Sequence, residues 1–186
     1  MDKVKQNRNG MLRRIGCMLV ILMLLTTGWA FAEAGEDARL EKDVVVLFTS
    51  DVHCGVDQGF GYVGLEAVRD QLEREGCHVL LVDNGDSIQG EPVGLLTQGE
   101  AIIGMMNKMG YDIAVPGNHE FDYGVQRFLA LAEMAEYPYV SCNFNREGEL
   151  VFPAYTIREF DGVKLAFVGA TTPDVMLSST PQLLPG

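Results

Sequence analysis

The feature that most constrains this chain is an alternation of short apolar runs with segments of helical periodicity. Apolar runs of strand length recur at residues 43–49, 78–82, 112–115, 139–144 and 163–169. Segments with apolar side chains at helical spacing lie between them, at residues 63–75, 101–109 and 125–135. This alternation predicts right-handed β-α-β units, and therefore an α/β fold in which a largely parallel sheet is flanked by helices.

Two details refine the predicted sheet. The first run, which contains VVVLF, has no polar interruption, and this is typical of a strand that is covered on both faces. Residues 155–160 and 163–169 are separated by Asp161-Gly162, a dipeptide that favours a tight hairpin turn. The late part of the chain is therefore expected to contain an antiparallel pair.

The amino terminus has the pattern of an export signal. Five basic residues precede residue 15, and residues 15–32 carry no charge and end on Ala30-Phe31-Ala32. This pattern predicts a secretory signal peptide over residues 1–32, cut after Ala32, and hence a periplasmic, cell-surface or secreted location. The alternative is an uncleaved membrane anchor. Residues 33–42 are interpreted as a linker, and residues 43–186 as the domain that follows it.

The charge of the predicted mature chain limits its partners. Residues 33–186 contain 9 Lys and Arg against 25 Asp and Glu, a formal net charge of −16. Such a chain would repel the phosphates of a nucleic-acid polymer, so we expect no partner of that class. Contact with a membrane is expected only through the export signal, and the oligomeric state is left open.

The cysteines do not indicate a structural framework. Three remain in the predicted mature chain, Cys54, Cys77 and Cys142, and none is in a Cys-x-x-Cys spacing. A disulfide scaffold and a zinc–thiolate site are therefore not expected, whereas the pairing of the three thiols stays open.

Polar residues able to bind metal follow each of the first three predicted strands. They occur in Thr49-Ser50-Asp51-Val52-His53, in Asp83-Asn84-Gly85-Asp86 and in Pro116-Gly117-Asn118-His119-Glu120-Phe121-Asp122. Ligands of open α/β sheets bind beyond the carboxyl ends of the strands, so these segments are expected to share one rim. Each motif alone is a weak signal, but their joint occurrence at three successive strand ends indicates a functional site.

The residue types at this rim suit divalent cations. Asp51 and His53 are two positions apart, and extended geometry would point both side chains to the same side. With Asp86 and Asn118 they offer oxygen and imidazole ligands, a set that suits zinc, manganese or a similar metal. Two such ions would bind a phosphate and activate a water molecule.

His119 and Asp122 are interpreted differently, as an acid–base pair. A carboxylate close to a histidine can hold one tautomer and stabilise the protonated ring. Placed beside a departing oxygen, His119 would act as a catalytic residue. Asn84 and Glu120 lie inside the motifs and are interpreted as residues that position the ligands.

These motifs resemble those of the calcineurin-like metallophosphoesterases, from about residue 43 to residue 173. The run Asn118-His119-Glu120-Phe121-Asp122 is similar to the 5′-nucleotidase and UDP-sugar hydrolase branch. The resemblance implies two divalent metal ions. Asp51 and His53 would bind one of them, Asp86 would bridge both and Asn118 would bind the second. It also implies catalysis by His119 with Asp122, and a nucleotide or other small phosphoester as substrate.

The sequence also departs from that family. The family completes its second metal site with two further histidines near the carboxyl end, whereas this chain contains only His53, His78 and His119. We therefore interpret residues 43–186 as a partial metallophosphoesterase domain, the amino-terminal portion of the family's architecture. We expect it to bind at most one metal well and to have little or no turnover. Three functions remain open: a 5′-nucleotidase, a non-catalytic metal-binding fragment, and an enzyme of the same fold with another substrate, such as a 2′,3′-cyclic-nucleotide phosphodiesterase or a sulfur-ester hydrolase.

Overall fold

The computed structural model describes residues 39–175 of the 186-residue chain. The predicted signal peptide and most of the predicted linker lie outside these residues. The helices are α1 (Gly61–Arg74), α2 (Pro92–Thr97), α3 (Glu100–Met109) and α4 (Val125–Met134). The strands are β1 (Val44–Thr49), β2 (His78–Asp83), β3 (Ile113–Ala114), β4 (Asn145–Arg146), β5 (Glu149–Leu150), β6 (Tyr155–Phe160) and β7 (Val163–Val168).

A parallel sheet in the order β1-β2-β3 organises the chain, as the alternation predicts. Helix α1 connects the first two strands, and α2 and α3 connect the second to the third. In the β1–β2 register Thr49 lies opposite Asp83, the last residue of each strand. The loops that follow these two strands therefore leave the sheet at the same level.

One face of the sheet is covered by helices. Leu81 of β2 is fully buried against a cluster that includes Ile103 and Met106 of α3 and Phe128 of α4. Helix α3 ends at Gly110, which has a φ of 68°, a left-handed conformation that favours glycine at a helix carboxyl end. The helical side of the sheet is thus a closed hydrophobic core.

The opposite face is only partly covered, so the prediction that β1 is covered on both faces is wrong. Val82, Ile113 and Val140 form a small second core on this side, together with Phe167 of β7. Phe48 of β1 remains 66% exposed, because β7 packs over the β2–β3 side of the sheet. An open groove of about 330 Å³ results, lined by the apolar residues of β1 and β7.

Strands β6 and β7 form the antiparallel pair that the sequence predicts. Phe160 pairs with Val163 across a two-residue turn, Asp161-Gly162. Both turn residues are left-handed, with φ of 51° and 80°, the conformation of a type I′ turn, whose twist matches that of the flanking strands. Within the described part of the chain, β7 pairs with no strand other than β6.

The strand predicted over residues 139–144 is a loop, except for one parallel bridge between Tyr139 and Ala114. Polar side chains divert the backbone there. The Asn143 carboxamide exchanges hydrogen bonds of 2.7 and 2.8 Å with the backbone of Thr171, and Ser141 Oγ bonds to Thr171 Oγ1 at 2.8 Å. These contacts span 28 to 30 positions of the chain, and in this segment they take the place of a strand ladder. Helix α2 and the short β4–β5 hairpin were not predicted from the sequence.

The described helices do not include a membrane span. Between residues 39 and 175, each helix is too short, or insufficiently apolar, to cross a bilayer.

The open apolar groove predicts self-association of this chain in solution. Replacing Val168, which is 67% exposed in the groove, by threonine should lower the apparent mass and light scattering at high concentration, because it removes apolar surface that excludes water. Sedimentation velocity measures the effect. Val63→Thr is the matched control, since Val63 is 81% exposed on α1 and does not line the groove. Equal scattering of the two variants would contradict the prediction.

Candidate metal centre

The loops after β1 and β2 are bound to each other by a ladder of backbone hydrogen bonds. The amides of Asp51, His53 and Cys54 donate to the carbonyls of residues 85, 86 and 87, at 3.1, 2.9 and 3.0 Å. Asp51, His53 and Cys54 all have positive φ, between 46° and 61°. Left-handed conformations of residues other than glycine are costly and are common at functional sites.

The backbone conformation of residues 51–53 differs from the one expected from the sequence. The extended geometry expected for residues 51–53 is wrong, because Asp51 and His53 have φ of 56° and 46°. Asp51 is exposed and its carboxylate accepts a hydrogen bond from Ser50 Oγ. The two side chains are therefore not brought together by strand alternation.

Three side chains converge at the carboxyl edge of the sheet. His53, Asp86 and His119 each place one ligand atom within 4.8 Å of the others, and all three are half-buried. The imidazole rings of His53 and His119 meet edge to face, with centroids 4.9 Å apart. Two imidazoles and a carboxylate are donors that suit zinc, manganese or iron, so the residues present fit one divalent cation.

His53 is oriented by its neighbours. Its Nδ1 lies 3.1 Å from the carbonyl oxygen of Gln89, a contact in which Nδ1 carries the proton and Nε2 is left free to bind a cation. Gly90 packs directly against it, since a Cβ at this position would lie 2.1 Å from the His53 carbonyl oxygen. Only glycine permits this approach.

Asp86 is held by the turn that follows β3. One carboxylate oxygen, Oδ1, accepts a 2.7 Å hydrogen bond from the His119 amide. A Cβ on Gly117 would lie 2.3 Å from the same oxygen, so glycine is required for the contact between the two loops. Asn118 is half-buried in this turn, beside His119.

Each ligand expected from the sequence can now be placed. His53 and Asp86 lie in the three-residue cluster, whereas Asp51 lies outside it. Asn118 is not in the cluster, but it immediately precedes His119 in the chain. His119, expected to be catalytic, is itself a member of the cluster. The roles of all these residues remain predictions.

His119 and Asp122 form a close pair, with His119 Nδ1 2.8 Å from Asp122 Oδ2. Partial burial lowers the pKa of His119, but the hydrogen bond and charge of Asp122, with the nearby Asp86 and Glu120, outweigh it and raise that pKa above its ordinary value. The pair therefore favours a protonated ring at a higher pH than a free histidine would.

Two carboxylates are buried beneath the cluster, and both are 1% exposed. Burial raises the pKa of Asp83 to about 6 against the effect of its hydrogen bonds from Ser87 and Thr49. Burial and the charge of Asp83 raise the pKa of Glu120 to about 7. No role is predicted for Asp83 from the sequence. Its position at the end of a predicted strand, three residues before Asp86, could have indicated that it supports the site.

Comparison with known proteins identifies the family of this chain. Residues 44–176 match the calcineurin-like phosphoesterase family. The chain is 33% identical to a 5′-nucleotidase of Vibrio vulnificus over 151 residues, which are 76% of the chain and 27% of that protein. It is 31% identical to a 5′-nucleotidase of Vibrio cholerae over 177 residues, 90% of the chain and 32% of that protein.

A solved structure supports the same assignment. The NAD nucleotidase of Haemophilus influenzae superposes with a TM-score of 0.64 at 26% identity, over 73% of this chain and 27% of that one. The parallel α/β fold and the family match together define the metallophosphoesterase fold. The chain belongs to the calcineurin-like phosphoesterase family, whose members use divalent metals, and it spans about a third or less of the length of the curated relatives above.

The His119–Asp122 pair predicts a shift in a titration curve. Asp122→Asn should lower the pKa of His119 towards its ordinary value, because a neutral amide no longer stabilises the charged ring. NMR titration of the His119 ring protons in the metal-free protein measures this change. Asp161→Asn is the control, since Asp161 pairs with His78 at 3.1 Å. A His119 pKa that is unchanged by Asp122→Asn would contradict the prediction.

The buried carboxylates predict an unusual dependence of stability on pH. Because their folded-state pKa values of about 6 and about 7 exceed the ordinary 3.8 and 4.5, the folded protein binds more protons than the unfolded chain between these values. The free energy of unfolding of the metal-free protein should therefore fall as pH rises from about 4 to about 7. Each group contributes a slope on the order of 1.4 kcal/mol per pH unit only between its own unfolded and folded pKa values. Urea unfolding at a series of pH values measures it. A stability that rises over this range would refute the prediction.

Proposed function

We propose that this chain carries part of the active site of a metal-dependent phosphoester hydrolase, a 5′-nucleotidase that removes phosphate from nucleotides by a two-metal mechanism. The observation that carries the proposal is the convergence of His53, Asp86 and His119, whose ligand atoms lie within 4.8 Å of one another. They follow the carboxyl ends of the strands, the edge at which open α/β sheets bind ligands, and they lie within the residues that match the family.

In this proposal Asp51 and His53 would hold the first cation, Asp86 would be shared by both cations and Asn118 would hold the second. The free Nε2 of His53 and the second oxygen of the Asp86 carboxylate support these roles. When bound, divalent cations supply positive charge that stabilises phosphoryl oxygens and makes a water molecule acidic enough to react near neutral pH.

His119 is assigned to the leaving group. Its Nδ1 faces Asp122, so its Nε2 is the nitrogen available to the substrate. The raised pKa of this ring means that it holds a proton up to a higher pH than a free histidine. His119 can then protonate the oxygen that departs from phosphorus, with Asp122 holding the tautomer and stabilising the imidazolium.

The proposal also includes a nucleotide substrate and an exported location. The substrate is supported by similarity to proteins named 5′-nucleotidase and NAD nucleotidase. Export is supported only by the amino-terminal sequence pattern, which lies outside the described residues. The acidic charge continues to argue against a nucleic-acid polymer as partner.

A second candidate function is a metal-binding module without turnover. The observation that favours it is the position of the third histidine, His78. This residue opens β2, at the end of the strand opposite the cluster, and its ring is engaged by Asp161 and Phe160. Among the described residues, the cluster therefore contains two histidines, His53 and His119. With so few imidazole ligands for two cations, the second cation would be bound weakly.

Metal content and phosphate release separate the two candidates. Under the main proposal, the purified chain binds Mn²⁺ or Zn²⁺ and releases phosphate from AMP when Mn²⁺ is added. His53→Ala should weaken metal binding by at least the ~10–100-fold that loss of a residue supporting a metal ligand costs. His78→Ala is the matched control and should leave metal affinity unchanged.

The outcomes are distinct. Metal binding without phosphate release would favour the non-catalytic module, and cleavage of 2′,3′-cyclic AMP in preference to AMP would favour a cyclic-nucleotide phosphodiesterase. Loss of metal binding in His78→Ala but not in His53→Ala would overturn the assignment of the site.

A further inference from the structure

Glu120 lies beneath the cluster with no charged partner. Its side chain is 1% exposed, and no ion pair of the described residues includes it. Both of its oxygens instead accept hydrogen bonds from backbone amides. Oε2 accepts from Asp86 and Gly117 at 2.8 and 2.7 Å, and Oε1 accepts from Ser87 at 2.9 Å.

These three amides belong to two different loops. Asp86 and Ser87 follow β2, whereas Gly117 follows β3. A single carboxylate therefore joins the two loops, in addition to the contact between Asp86 and the His119 amide. Because both oxygens must accept, a carboxamide cannot replace the carboxylate: its amino group would face an amide N–H.

The loop positions fixed by Glu120 are those that present the proposed ligands. Asp86 has a left-handed φ of 59°, and its carboxylate accepts the amide of His119 at 2.7 Å. Without a partner for the Asp86 amide, this costly conformation would lose one of the contacts that hold it.

Asp83 supports the same loop from the other side. Its Oδ1 accepts hydrogen bonds from Ser87 Oγ at 2.7 Å and from Thr49 Oγ1 at 2.9 Å, and its Oδ2 accepts from the Gly85 amide at 3.3 Å. Ser87 thus bonds to Asp83 through its side chain and to Glu120 through its amide. The two buried carboxylates join the ends of all three strands into one network.

We propose that Glu120 is a positioning residue that forms the cation site before any cation binds, by holding Asp86 and the turn at residues 117–119 in their ligating geometry. This inference rests on the proposed function, because it assigns Glu120 a role at the same metal centre. Its rival is a purely structural role, in which Glu120 contributes to stability and leaves the affinity for metal unchanged.

Mn²⁺ titration of the folded chain, followed by the electron paramagnetic resonance signal of free Mn²⁺, tests the proposal. Glu120→Gln keeps the side-chain size and should weaken Mn²⁺ binding by ~10–100-fold, as is usual when a residue that supports metal ligands is lost. The control is Leu131→Ala, a fully buried position on α4 that should lower the melting temperature and leave Mn²⁺ affinity unchanged. Each variant is titrated well below its own melting temperature.

Hydrogen exchange on the wild-type chain supplies a test that does not depend on a variant folding. In the metal-free protein the amides of Asp86, Ser87 and Gly117 should exchange slowly, because Glu120 already binds them. Exchange at the rate of an unprotected loop overturns the inference, and so does equal Mn²⁺ affinity of wild type and Glu120→Gln. Absence of Mn²⁺ binding by the wild type instead overturns the proposed function, and the inference with it.

Discussion

The site depends on two parallel strands that end at the same position in their register, and on the buried carboxylates that join the strand ends. Thr49 and Asp83 stand opposite each other at the last pair of the β1–β2 ladder, and Thr49 Oγ1 donates to Asp83 across that pair. Glu120 then connects the loop after β2 to the loop after β3 through backbone amides. The backbone amides of Asp51, His53 and Asp86 are all bound within this framework, so buried contacts set the positions from which these three proposed ligands extend.

The framework is built from groups that are costly to bury. Burial raises the pKa of both Asp83 and Glu120, the charge of Asp83 raises that of Glu120 further, and the charge of Asp86 adds to both. Four residues other than glycine in these loops, among them Asp86 and His53, are left-handed. Costs of this kind concentrate where function needs a fixed geometry, and a divalent cation would offset part of the electrostatic cost. The left-handed residues and buried carboxylates of these loops therefore cost folding stability and hold the loops in one geometry.

The sheet is covered unequally. Its helical face is closed around Phe128 and Met106, whereas Phe48 on the other face stays exposed beside a groove lined by β7. Parallel sheets are normally covered on both faces. The ligand-bearing loops leave the carboxyl edge of the sheet, so the closed core on the helical side and the tied loops together support the site despite the open face.

The sequence alone determined the order of the main strands and helices, the hairpin at Asp161-Gly162 and the family, because periodicity, turn chemistry and the three strand-end motifs are local properties of the chain. It failed at residues 139–144, where the contacts of Asn143 with the distant Thr171 replaced a strand. Only the tertiary structure decided that His53, Asp86 and His119 converge while Asp51 stays outside that group, and that Glu120 faces three amides. These outcomes depend on left-handed backbone and on contacts between loops far apart in the chain, which local sequence patterns do not encode.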